Sequence, residues 1–139
     1  MMDSPDAPIE ELDADACWEL LAASDFGRLA VATERGVDIF PMNYLVRDRT
    51  LYLRSAPGSK LAEMMQRPTV AFEADGILRR DRWSVVVKGD AERLGFDAEI
   101  TESGVLGLHS QNPSDKWNYV RITPEAISGR RFTSARRPS

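Results

Sequence analysis

Two very short turns dictate how this chain starts to fold. Glu34-Arg35-Gly36 separates the strand-like run Gly27–Thr33 from Val37–Val46, and Arg47-Asp48-Arg49 separates that run from Thr50–Ser55. Connections this short reverse the chain between adjacent antiparallel strands, because a parallel neighbour needs a crossover of about a dozen residues or more. A meander of three strands is therefore expected. Thr69–Ala74, Trp83–Ala91 and Tyr119–Thr123 read as further strands, and Ile127–Phe132 as an extended piece beyond Pro124. The valine-rich Trp83–Ala91 run predicts a central strand buried on both faces.

Helical signals are few. Asp13 is a plausible N-cap for Ala14–Ala22, in which Cys17, Leu20 and Leu21 share one face. A second helix is expected over Ser59–Gln66, stopped by Arg67-Pro68, and a surface helix over residues 95–104. Six or so strands with helices at the edge predict a mainly β fold, a small antiparallel barrel. At 139 residues the chain holds one core. Residues 1–11, acidic and proline-bearing, are expected to be a mobile or loosely docked arm. The single domain spans 12–132, and 133–139 form a disordered basic tail.

Composition removes several function classes. A formal net charge of −4 argues against a nucleic-acid partner. No apolar run approaches the ~20 residues that span a bilayer, so no membrane partner is expected. Cys17 is the only cysteine, which forbids an internal disulfide and fits a reducing cytoplasm. With one cysteine and one histidine, His109, the usual zinc sites cannot be built, and no metal is expected. His109 sits in the polar stretch Gly107–Pro113, which reads as a solvated loop. No catalytic acid or base stands out, so redox or group-transfer chemistry would have to come from a cofactor.

The strongest chemical signal is Leu51-Tyr52-Leu53-Arg54-Ser55-Ala56-Pro57-Gly58-Ser59-Lys60-Leu61, a strand turning into a helix. Free backbone N–H groups and the helix dipole favour an anion at such a junction. A lysine in the first turn opposes its own helix dipole, and an anion beside it removes that conflict. Arg54, Ser59 and Lys60 can supply cationic and hydroxyl contacts to a phosphate. Neither a Walker A loop nor a Gly-x-Gly-x-x-Gly fingerprint is present.

Six segments in order carry a family resemblance: Phe26-Gly27-Arg28-Leu29-Ala30-Val31, Ile39-Phe40-Pro41-Met42-Asn43-Tyr44, Leu51 to Leu61, Val70-Ala71-Phe72-Glu73-Ala74-Asp75, Trp83-Ser84-Val85-Val86-Val87-Lys88-Gly89, and Arg121-Ile122-Thr123-Pro124 with Ser128-Gly129-Arg130-Arg131-Phe132. The chain resembles the pyridoxamine 5′-phosphate oxidase-like superfamily of FMN-binding split barrels, in its actinobacterial branch. That resemblance implies a six-stranded antiparallel split β-barrel and a homodimer with two cofactor sites at the subunit interface. It implies FMN, with Arg54, Ser55, Ser59 and Lys60 on the phosphate and Pro41, Met42, Asn43 and Tyr44 along the isoalloxazine ring. Trp83 and Ser84 would begin the strand beneath the flavin, and Arg130 would reach the site from the partner subunit. The implied activity is a two-electron oxidoreduction of a small molecule at flavin N5.

The resemblance stops short of vitamin B6 chemistry. The Arg-x-His pair of authentic pyridoxamine phosphate oxidases is replaced by Gly129-Arg130-Arg131-Phe132-Thr133. The same phosphate groove serves two alternatives, the deazaflavin F420 as a diffusible hydride donor, or a non-enzymatic module that stores or senses a flavin. Asn43, an amide in an apolar strand, must bond either a flavin edge or a neighbouring strand if it is buried.

Overall fold

A computed structural model of the chain describes residues 9–55, 66–94 and 118–133. Most of the Ser59–Gln66 helix, the 95–104 helix, the His109 stretch and the tail beyond Thr133 lie outside those residues. The elements run β1 (Ile9–Leu12), α1 (Ala14–Ala22), β2 (Phe26–Thr33), β3 (Gly36–Arg47), β4 (Thr50–Ser55), β5 (Thr69–Leu78), β6 (Asp81–Arg93) and β7 (Asn118–Thr133).

The three-strand meander forms as its turns require, with β2 paired to β3 and β3 to β4. β5 then joins the free side of β2, β6 pairs with β5, and β7 bridges β6 and β4. All these pairings are antiparallel, and together they close a six-stranded ring from β2 to β7. A seventh strand corrects the expected count. β1 lies outside the ring on β7, with Ile9 opposite Phe132 and Leu12 opposite Gly129. It falls in the stretch read from composition as an arm. Its four residues, three of them exposed, carry too little alternation to announce a strand.

Period-2 alternation decides what enters the barrel. Leu29 and Val31, Tyr44, Leu51 and Leu53, Val70 and Phe72, Val85 and Val87, and Val120 and Ile122 all point inward and are buried. β6 is therefore buried on one face only: Lys88 and Asp90 between its core residues are exposed. The valine run suggested a strand covered on both sides, but a barrel wall has a single interior, and outward Val86 sits on the surface of a groove.

Pro124 does not end the last strand. Gly89 pairs with Pro124 and Lys88 with Ala126, so Glu125 is an extra residue in a β-bulge. The bulge absorbs the missing proline N–H and lets β7 run on to Thr133. α1 closes one end of the barrel with Cys17, Trp18 and Leu21. Asp13 caps it as read, its Oδ1 accepting from the Ala16 N–H at 2.8 Å.

The ring is incomplete along one seam. The β3–β4 ladder covers only Tyr44 to Arg47. Among the described residues, the longer N-terminal part of β3, Gly36–Asn43, has only β2 beside it. Pro41 lies in this part, where a strand can accept a residue that donates no hydrogen bond.

Candidate functional site

The residues expected to bind a ligand separate by the side of the sheet they face. Along β3, Met42 packs against the core and Tyr44 is 1% exposed, while Pro41 and Asn43 look outward. Consecutive strand residues point to opposite faces, so these four side chains cannot line one ligand together. The Tyr44 hydroxyl donates to the Leu21 carbonyl at 2.6 Å, and its ring meets Phe72 edge-on at 5.0 Å between centroids. Any contact from Tyr44 to an outer ligand is left to its backbone.

Asn43 is exposed rather than buried, because it stands on the outer side of the barrel. Its Nδ2 donates to the Asp25 carbonyl at 3.1 Å, just before β2. Arg54, half-buried at the end of β4, alternates away from the inward Leu51 and Leu53, opposite Tyr119 of β7. Ser55 is the last residue of β4, and Ser59 and Lys60 lie outside the described residues.

Trp83 faces inward and is 7% exposed. A Cβ at Gly76 would come within 3.1 Å of its indole, so the missing side chain at Gly76 gives this ring its place. Ser84 turns outward. It stands beside Asp75 of β5 on one side and Arg130 of β7 on the other. Arg130 in turn faces Glu11 of β1.

Ser84 and Phe132 are shared by two adjoining grooves on this outer surface. One, of 600 Å³, adds Ile9, Glu11, Val86, Ser128, Gly129 and Arg130. The other, of 590 Å³, adds Asp75, Gly76, Ile77, Arg82 and Trp83. Together they provide an apolar floor with two hydroxyls, two guanidiniums and two carboxylates at its margins. A third hollow of 680 Å³, at the β2–β3 turn around Thr33, Arg35, Asp38 and Arg67, contains none of the expected ligand residues.

Sequence reading missed the charged cluster at the margin of the groove. Arg28 of β2 donates through Nη1 to Glu73 Oε1 at 3.0 Å and to Asp75 Oδ2 at 3.2 Å. Its signal was present in the spacing: Glu73 and Asp75 stand two apart in a strand and so share a face. Burial first, then the adjacent Asp75 carboxyl, push the Glu73 carboxyl above its ordinary range against the pull of Arg28. Arg131, next to Arg130, has another task. It donates to Glu10 at 2.7 Å and lies 3.9 Å from Asp81, tying β1 to the end of the β6–β7 pair. Among the described residues there is no group of three His, Cys, Asp or Glu side chains suited to a metal, and no helix long and apolar enough to cross a membrane.

The family model for pyridoxamine 5′-phosphate oxidase matches residues 13–131, nearly the whole barrel. The chain belongs to this family. Three solved structures share its fold over almost their full length. A Corynebacterium glutamicum protein is 39% identical, with a TM-score of 0.80 over 91% of this chain and 99% of that one. A FAD-binding protein from Mesorhizobium loti is 30% identical, with a TM-score of 0.80 over 92% and 99%. The FAD-binding protein of Mycobacterium smegmatis is 34% identical, with a TM-score of 0.73 over 88% and 97%. The pyridoxamine 5′-phosphate oxidase-like barrel is thus the scaffold on which Ser84, Arg130 and the open part of β3 are displayed.

Proposed function

We propose that this pyridoxamine 5′-phosphate oxidase-like protein binds a flavin noncovalently and acts as an oxidoreductase on a small molecule. The observation that carries the reading is the outer groove, where Ser84 and Arg130 flank an apolar floor formed by Val86, Phe132 and Ile9. A planar heterocycle with polar edges needs such a surface, apolar beneath the ring and hydrogen-bonding at its rim. Two solved relatives at 30% and 34% identity are described as FAD-binding, which supports a flavin in general. FMN is the form we propose for this chain, with Arg54, Ser55, Ser59 and Lys60 on its phosphate.

Pro41 and Asn43 would border the ring from the open part of β3, and the Trp83–Ser84 start of β6 would lie below it. Within one protomer β2 and β5 separate β3 from β6, about 14 Å at ordinary strand spacing. A second copy brings the two groups of residues together. This is why we place the site at a homodimer interface, with Arg130 contributed across it. Exposed Phe26, Val37, Ile39 and Ile77 on the outer surface supply apolar area for such an interface.

The flavin would supply two-electron redox chemistry, while the chain binds it, orients it and excludes water. The single buried cysteine agrees with a reducing, cytoplasmic setting. Purified protein mixed with FMN, FAD or F420 and desalted provides the test. Retained bands near ~370 and ~450 nm are expected with FMN. Arg54→Ala with Lys60→Ala should release most of it, since a phosphate would lose two charge-assisted contacts. Retention of F420 alone, with its band near ~420 nm, would reassign the cofactor. Wild-type protein that retains none of the three would refute the flavin reading.

A further inference from the structure

We propose that Arg28, Glu73 and Asp75 form a proton-linked wall of the flavin groove, in which Arg28 positions the two carboxylates and ligand binding takes up a proton. This rests on the flavin reading above and adds to it a residue set that neither the phosphate nor the ring contacts include.

Three observations support the wall. Asp75 lines the groove alongside Trp83, Ser84 and Arg82, so the cluster reaches the ligand surface. Both carboxylates are held by one nitrogen of Arg28, which leaves Nε and Nη2 out of these two ion pairs. Arg28 also stands directly opposite Pro41 in the β2–β3 ladder and opposite Glu73 in the β2–β5 ladder. It therefore links Glu73 to the open part of β3 on the outer face of the barrel.

The electrostatics follow from composition. One guanidinium faces two carboxylates, so the trio carries a net charge of −1 when both acids are ionised. All three side chains keep partial contact with water, at 45% exposure for Arg28, 32% for Glu73 and 48% for Asp75. A flat ring laid over them removes that water, and the uncompensated negative charge becomes costly. Taking one proton between Glu73 and Asp75 restores neutrality. Glu73 is already shifted in that direction by burial and by Asp75.

The remaining charged groups on this surface are few. On β6, Arg82 and Lys88 flank the outward Ser84 and Val86; on β7, Arg130 adjoins Ser84, and on β1 Glu11 faces Arg130. β3 contributes only uncharged Pro41 and Asn43 beside Arg28. Within the trio, proton uptake is assigned to the carboxyl pair that shares Arg28.

FMN affinity, measured by quenching of flavin fluorescence from pH 5 to 8.5, tests the proposal. Wild type and variants share the titration of the FMN phosphate, so the ratio of their affinities isolates the cluster. Relative to Glu73→Gln, wild-type affinity should fall as pH rises, by at most about tenfold per unit for one linked proton. Arg28→Ala should shift that fall to higher pH, because two carboxyls without their cation hold a shared proton longer. A purely structural cluster would instead lower thermal stability in both variants and leave the three pH profiles parallel, which would overturn the wall while keeping the flavin site. Asp75→Asn, expected to flatten the profile like Glu73→Gln, guards against one variant misfolding. Failure of wild-type protein to bind FMN at any pH would overturn both.

Discussion

Tyr44→Ala is expected to destabilise the protein by about 3–5 kcal/mol, the range for removing a large buried aromatic side chain. The ring is 1% exposed, packs edge-on against Phe72 and joins β3 to α1 through its hydroxyl. Its loss would open a cavity and also leave the Leu21 carbonyl without this donor. Tyr44→Phe separates the two effects, since it keeps the ring and should cost about 1 kcal/mol. Burial pushes the Tyr44 phenol up to about 12, so the native state holds this proton more tightly than the unfolded chain. The stability it confers is present below pH ~10 and is lost as pH rises from there towards 12. Denaturant unfolding at pH 7 and pH 11 should show wild type losing roughly 1 kcal/mol more than Tyr44→Phe. Equal losses would mean that the hydroxyl is not held as the geometry indicates.

Gly89→Ala should be nearly as damaging, at about 3 kcal/mol, although it adds only a methyl group. A Cβ there would lie 2.1 Å from the Thr123 carbonyl oxygen and 2.9 Å from Pro124 Cα. Both are backbone atoms of the facing strand, so no rotamer change relieves the contact. Gly89 is also where the β6–β7 register shifts, and the bulge at Glu125 depends on the two backbones approaching closely. A thermal melt of Gly89→Ala measures the cost. A midpoint within 2 °C of wild type would show that β7 can move away from β6 freely. Asp90→Ala, one residue further on with an exposed side chain, provides a control of small expected effect.

The fold could be read from residues whose pattern is local. The two short turns fixed the β2–β3–β4 meander, and Asp13 announced α1. Other features depended on partners distant in sequence. The Ile9–Leu12 strand exists because β7 offers it an edge 120 residues or so later, and nothing within IEEL reveals that edge. The valine run of β6 was read as doubly buried because composition cannot distinguish a covered sheet from a barrel wall beside a groove. The candidate site divides in the same way. Pro41-Met42-Asn43-Tyr44 was recognised as a unit, yet alternation sends two of its side chains into the core. Arg28, Glu73 and Asp75 come together from two strands 45 and 47 residues apart, so their meeting required the register as well as the sequence.

The sixteen residues of β7 imply an order of assembly for the chain as it is made. This strand seals β4 to β6 and also gives β1 its only ladder among the described residues. A polypeptide still on the ribosome, synthesised as far as β6, therefore presents two unpaired sheet edges and a first segment with nothing to zip against. Such edges invite pairing with other chains. The ring can close only when the C-terminal segment emerges, so the interval between the synthesis of β6 and the release of β7 is when aggregation or capture by a chaperone would compete most strongly with folding.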